Sequence, residues 1–171
     1  NEKLTSTSVS GDVEIRANSQ WVSIESVSGD VIFSGQTPRI SAESVSGDVE
    51  LTGLSGDVEA TTVSGDMEIE AGVMDKGRFE TVSGDIQVST QLSSSGRLSA
   101  ESMSGDVAVS LPAEQSGVFK AQSFSGRIST DFGTVSQAKH GPGSRLKHVV
   151  GNDAAEIRLE SFSGNIELQG D

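Results

Sequence analysis

Six aspartates occupy one position of a repeated Ser-Gly-Asp triplet, and they are the residues of this chain best placed to do chemistry. They are Asp12, Asp30, Asp48, Asp66, Asp85 and Asp106. If the repeats stack as strands, these carboxylates lie about 4.8 Å apart, and facing like charges are destabilising unless something compensates them. Calcium is one candidate, because it prefers several oxygen ligands. The pattern therefore raises the hypothesis of a calcium column.

A turn role explains the same aspartates without a metal. Aspartate side chains accept hydrogen bonds from nearby backbone amides in turns. Each repeat supplies only one carboxylate here, the GGxGxD pattern of calcium-binding β-rolls is absent, and Arg127 and Asn165 replace the aspartate in the last two triplets. These observations favour turn capping, and we predict no metal site and no cofactor.

Catalytic constellations are weakly represented. A polysaccharide-processing β-helix enzyme needs two or three carboxylates gathered in a cleft, whereas the acids here are spread evenly by the repeat. His140 and His148 lie in an irregular, locally basic segment without convincing partners for a metal, so a solvated loop is the preferred interpretation. Trp21 is predicted to pack at the surface rather than to stack on a carbohydrate. We therefore predict a protein that is not an enzyme.

The triplet recurs with a nearly constant period. Its serines are Ser10, Ser28, Ser46, Ser64, Ser83, Ser104, Ser125 and Ser163. The steps are 18, 18, 18, 19, 21, 21 and 38 residues, and the segment "GPGSRLKHV" fills the place missing from the last step. A fixed period near 20 residues is typical of a solenoid.

Within each repeat, apolar and polar residues alternate, as at Val13 and Ile15 or Val49 and Leu51, which indicates strands with one buried face. A second strand precedes each triplet, for example "RISAE" and "GRLSAE". Two strands per coil of 18 to 21 residues predict an all-β, single-stranded β-solenoid, for which we favour the right-handed form. We expect one domain over residues 1–171, with an irregular, loop-rich coil over residues 133–150.

The triplets are predicted to form corners of the coil. The residues expected to point inward shift by one position between Ala42 and Val45, because they lie three positions apart instead of two. This shift predicts a bend near Glu43 and Ser44. Glycine allows positive φ or a corner free of side chains. The predicted corner glycines are Gly11, Gly29, Gly47, Gly56, Gly65, Gly84, Gly105, Gly126 and Gly164.

Hydroxyl side chains beside the triplets are expected to form outward-facing hydrogen-bonded ladders. They are Ser8, Ser26, Ser44, Thr62, Thr81, Ser102, Ser123 and Ser161. A regular Ser/Thr face also suggests binding to ice or to crystalline polysaccharide, although flanking acids such as Glu43 and Glu101 interrupt a flat apolar face.

Charge and composition exclude several function classes. The chain has 25 acidic and 12 basic side chains, and its net charge of -13 opposes binding to nucleic acid or to anionic membranes. There is no cysteine. Most of the excess negative charge precedes residue 107, so the C-terminal part is the better candidate for contact with a partner or another copy. Because the chain begins within the repeat, we expect a targeting segment to be missing from it.

The units of pattern [ST]-[VFM]-S-G-[DNR]-[VIM]-x-[VIL], from Thr7 to Leu168, resemble a bacterial domain-of-unknown-function family of adhesin-like, β-strand-repeat proteins. The resemblance implies a non-catalytic role outside the cytoplasm, in the periplasm or at the cell surface.

These observations lead to three hypotheses of different classes. The first is an adhesin-like binding or scaffold module of the bacterial envelope, whose partner is an envelope protein or a glycan. The alternative is a self-assembling structural protein that resembles the bactofilins, because open solenoid ends expose strand edges that can pair end to end. The third, a polysaccharide-acting β-helix enzyme, needs a cluster of acids that the sequence does not show.

Overall fold

The computed structural model describes residues 2–132, 135–137, 143–151 and 154–170. Within them the chain is all β, and its stacked, mostly parallel coils form a β-solenoid, so the predicted fold class is confirmed. The strands are β1 Lys3–Ser10, β2 Val13–Arg16, β3 Trp21–Ser28, β4 Val31–Ser34, β5 Arg39–Ser46, β6 Val49–Ser64, β7 Met67–Ser83, β8 Ile86–Ser104, β9 Val107–Leu111, β10 Gly117–Ser123, β11 Ile128–Thr130, β12 Val135–Gln137, β13 Ser144–Val150, β14 Glu156–Ser163 and β15 Ile166–Gly170. The described part of the chain contains no helix able to span a membrane.

Each coil contributes one strand segment to each of two faces. The first face, formed by the segments that precede the triplets, follows the order β1, β3, β5, β6, β7, β8, β14, β10, β13 and β12. The second face contains the segments that follow the triplets: β2, β4, the beginnings of β6 to β8, and then β9, β15 and β11. Each coil level thus pairs with the next one on both sides of the core.

The triplet corner keeps its register, and the opposite corner absorbs the variation in repeat length. Ser46 pairs with Ser64, and Ser64 with Ser83, although the second step is one residue longer. The register shifts between β6 and β7 lie near Leu54 and Gly56, on the far side of the coil. The variable repeat length therefore leaves the triplet column undisturbed.

The C-terminal coil is inserted into the stack rather than added to its end. β14 pairs in parallel with β8 on one side and with β10 on the other. β15 likewise lies between β9 and β11. The spacing of the triplets predicts Ser163 beyond Ser125, and this order is wrong, because Ser163 pairs with Ser104.

The segment around Ser144 does not form a further parallel coil. β13 pairs antiparallel with β10, and β12 pairs antiparallel with β13, so these strands extend the first face at the β10 end. Leu146 is buried against the core from this position. The remainder of residues 133–150 lies outside the described residues, apart from Gly143.

The core is a continuous apolar column between the two faces. Phe33, Phe79 and Phe119 are its largest fully buried side chains. At the β10 end, the rings of Phe119 and Phe132 stack with centroids 4.6 Å apart. Burial of such a side chain stabilises by about 1.5–3 kcal/mol, so this column holds the levels together.

The predicted parity slip before the triplet is wrong. In β5, Ile40, Ala42 and Ser44 are buried, whereas Val45 is half exposed. The strand continues to Ser46 before it turns, so strict alternation directs the hydroxyl position inward and the valine position outward. The ladder predicted to face outward therefore faces the core: Ser26, Ser44, Thr62, Thr81, Ser102, Ser123 and Ser161 are all buried.

Candidate functional site

The corner glycines stack so closely that a side chain would meet the next backbone. Gly47 has φ of 133°, and a Cβ atom added to it would lie 2.2 Å from the carbonyl oxygen of Gly29. The same close approach repeats at Gly29, Gly65, Gly84, Gly105, Gly126 and Gly164. Gly56 lies at the opposite corner, where a Cβ would lie 2.4 Å from the carbonyl oxygen of Pro38. Gly11, at the first level, has positive φ but no atom within 4 Å of that position.

The aspartates form a hydrogen-bonded ladder along the same corner. Each carboxylate accepts a hydrogen bond from the backbone N–H of the aspartate one level on, for example 3.0 Å from Asp48 N to Asp30 Oδ1 and 2.9 Å from Asp66 N to Asp48 Oδ1. The ladder runs from Asp12 to Asp106. Among the described residues, no group of three or more His, Cys, Asp or Glu side chains is arranged to hold a metal ion.

The end of this ladder explains the two triplets without aspartate. Asn165 donates its N–H to Asp106 Oδ1 over 2.7 Å, and the Asn165 side-chain oxygen accepts the N–H of Arg127 over 3.1 Å. Amide and carboxylate oxygens can both act as the acceptor, whereas a guanidinium cannot. Arg127 belongs to the last triplet in the stack. No further triplet follows whose N–H would need an acceptor at this position.

Removal of one carboxylate acceptor tests whether the aspartate ladder stabilises the fold. We expect Asp48→Ala to lower the free energy of unfolding by about 1 kcal/mol, because the N–H of Asp66 loses its partner. Asp48→Asn keeps an acceptor oxygen and removes one of the facing like charges, so we expect no loss. Arg127→Ala, at the end of the ladder, is the matched control and is also expected to be neutral. Thermal unfolding measures all three variants.

The same variants test the calcium hypothesis. If calcium raises the melting temperature of the wild-type protein but not that of Asp48→Asn, the carboxylates act as a metal site rather than as turn caps.

The other residues considered for chemistry do not converge. His140 lies outside the described residues, and His148 lies on β13. Trp21 is partly exposed, with the ammonium of Lys3 at 4.2 Å from the ring centroid. That cation lies over one face of the ring, in a cation–π contact.

A continuous apolar ladder lies exposed on the first face, one residue before each triplet serine. In stacking order it contains Val9, Val27, Val45, Val63, Val82, Met103, Phe162 and Phe124. Their exposed fractions lie between 46% and 73%. The rings of Phe124 and Phe162 stack with centroids 4.8 Å apart. Because large exposed apolar patches often mark interaction sites, this row is a candidate interaction surface.

The apolar ladder borders a groove at the end where its side chains are largest, at Met103, Phe162 and Phe124. The groove has a volume of about 510 Å³, and its apolar wall is formed by Val63, Val82, Met103, Phe124 and Phe162. Glu80, Glu101 and Glu160 lie on the other side. Side chains two residues apart on a strand point to the same side, so each glutamate lies beside the ladder residue of its own level.

Arginines on the same face neutralise two of these glutamates. Arg78 contacts Glu80 and Arg158 contacts Glu160, each at 2.7 Å. The pKa values of Arg78 and Arg158 are raised, because each guanidinium donates hydrogen bonds to its partner carboxylate and is attracted by that charge. These exposed pairs orient the glutamates and add little stability.

The sequence analysis assigned Val45, a member of this apolar ladder, to the inward side. The signal that could have corrected this was the uninterrupted alternation through "RISAESVS", in which Ser44, and not Val45, continues the parity of Ile40 and Ala42. The glutamate wall was noted only as an interruption of a flat face.

Residues 1–169 match a protein family described as Toastrack DUF4097, a domain of unknown function. No curated protein and no solved structure matches the chain.

Proposed function

Since the chain belongs to the Toastrack family, we propose that it is a non-catalytic binding module of the bacterial envelope that holds a partner protein along its apolar ladder. The observation that carries this proposal is the row of exposed valine, methionine and phenylalanine side chains beside the groove. The rigid stack of coils holds these side chains in place before a partner binds, which lowers the entropic cost of association.

The arrangement supports binding better than catalysis. The three glutamates of the groove, Glu80, Glu101 and Glu160, lie one per level in a single column, and the groove has an apolar wall. An apolar surface with a few oriented polar groups is typical of a recognition site. A protein partner is preferred to a glycan, because the ladder is mainly aliphatic and the ammonium of Lys3 lies over one face of the Trp21 ring.

A photo-crosslinking residue tests the ladder as the binding surface. We expect Met103→p-benzoylphenylalanine to give a discrete adduct in envelope fractions of the host bacterium, because Met103 lies in the middle of the groove wall. The matched control is the same replacement at Gln87, which is exposed on the second face. Peptides of a second protein, found by mass spectrometry in the purified adduct, identify the partner as a protein. No adduct at position 103, or equal adducts at both positions, would contradict the proposal.

The envelope location rests on the family resemblance and has its own test. Fractionation of host cells, followed by detection of this chain with an antibody, should place it outside the cytoplasm. Detection in the cytoplasm alone would remove this part of the proposal and leave the ladder as a binding surface.

The bactofilin-like alternative depends on the ends of the stack. Among the described residues, β1 pairs only with β3 and β2 only with β4, and an unpaired strand edge favours pairing with another chain. At the other end β13 and β12 continue the first face in antiparallel order, so the two ends do not match. Light scattering over a wide concentration range separates these functions: a filament former grows in mass, and a binding module does not.

A further inference from the structure

Glu101 is the central carboxylate of the groove and differs from its neighbours in charge pairing. It lies in register between Glu80 and Glu160, one level from each. Those two are paired with Arg78 and Arg158. Within the described part of the chain, Glu101 forms no ion pair. Three carboxylates in register repel one another. The middle one is attracted by Arg78 and Arg158 on the adjacent levels, but each of these guanidiniums contacts its own glutamate. Glu101 therefore keeps its hydrogen-bonding oxygens available to a further cation.

The surroundings of Glu101 combine negative charge with apolar surface. Met103 lies two residues along the same strand, with Val82 and Phe162 on the adjacent levels of the ladder. On its other side the ladder is followed, three residues along, by the aspartate column, represented at this level by Asp106. The apolar ladder therefore runs between two acidic columns.

Resting on the proposed function, we propose that the groove binds a segment of a partner protein in which apolar side chains alternate with lysine or arginine. The apolar side chains pack on Val82, Met103 and Phe162, and one cation of the partner pairs with Glu101. An acidic segment is repelled by both columns, and a second copy of this chain would place its own acidic columns against them. Charge complementarity thus selects a basic, amphipathic partner.

Two designed peptides of equal length test the partner class. Both carry leucine at the same positions, and the positions between carry lysine in one peptide and glutamate in the other. Fluorescence anisotropy of labelled peptides measures binding to the full chain. We expect the lysine peptide to bind and the glutamate peptide not to bind, and we expect added salt to weaken the binding because it screens the exposed charges.

Matched variants locate the site. We expect Glu101→Gln to weaken binding of the lysine peptide by roughly two- to fivefold, as for an exposed ion pair. Glu43→Gln, in the same column but outside the groove, is expected to change nothing. Phe162→Ser should weaken binding by about tenfold or more, and Val27→Ser on the narrow end of the ladder should not. Glu43, Val27 and Phe162 are exposed and Glu101 is half-buried, so we expect small changes in melting temperature. The largest change is expected for Phe162→Ser, because it removes the stacking on Phe124. Circular dichroism at the temperature of the binding measurement checks that each variant is folded.

The outcomes separate this inference from the proposed function. Equal binding of both peptides, or equal effects of Glu101→Gln and Glu43→Gln, overturns the basic partner while the ladder remains a binding surface. If neither peptide binds but a specific adduct forms at position 103, the basic partner is likewise overturned and the ladder remains a binding surface. Failure of both peptides and of the adduct removes the proposed function as well.

Discussion

Gly47→Val is expected to lower the free energy of unfolding by about 3 kcal/mol or more. Two causes act together at this corner. The backbone has φ of 133°, which a β-branched residue rarely adopts, and the new Cβ would lie 2.2 Å from the carbonyl oxygen of Gly29. The obstacle is backbone of the adjacent level, so the coils themselves must separate. Thermal or denaturant unfolding followed by circular dichroism measures the loss.

Gly11→Val is the matched control for this prediction. Gly11 also has positive φ, of 104°, but no atom lies within 4 Å of an added Cβ. Gly11→Val therefore keeps the conformational strain but lacks the collision. We expect it to lower the free energy of unfolding clearly less than Gly47→Val does. Equal losses at the two positions would show that conformational strain alone explains the glycine column, and an unchanged Gly47→Val would refute the corner assignment.

Deletion of residues 152–171 is expected to disorganise the β10 end of the stack rather than to trim it. The deletion removes β14 and β15, which lie between β8 and β9 on one side and β10 and β11 on the other. β10 then retains only its antiparallel partner β13. Hydrogen exchange should show loss of protection over Gly117–Ser123, whereas the amides of β3 and β5 stay protected.

Deletion of residues 1–16 provides the comparison. It removes β1 and β2, which form a terminal level, so the remaining levels keep their neighbours. We expect β10 to stay protected in that variant. Full protection of β10 after the C-terminal deletion would contradict the inserted order of the last coil.

The segment before each triplet shows that hydrophobicity and strict alternation can predict opposite orientations for the same residue. Hydrophobicity assigned Val45 to the core and predicted a bend near Ser44. The structure instead continues the strand to Ser46, so Ser44 is buried and Val45 is exposed. The position of a corner within one or two residues depends on the stacked neighbours, because only they limit the space inside the turn. The exposed ladder, and with it the candidate site, followed from that difference.

Repetition in the sequence was sufficient to determine the class of fold. The period of the triplets, the alternation within repeats and the recurrent glycine all require two strands and a tight corner per coil, since each of these features acts within one repeat or between identical repeats.

Only the tertiary structure decided the order in which the last coils stack. Backbone hydrogen bonds between strands of similar sequence do not distinguish one neighbour from another, so spacing alone left Ser163 at the end. The choice depends on contacts between distant residues. The Asn165 side chain supplies an acceptor between Asp106 and Arg127, and Phe162 stacks on Phe124. The guanidinium of Arg127 cannot accept a hydrogen bond from a further backbone N–H. The aspartate ladder can therefore end at the level of Arg127 but cannot continue beyond it.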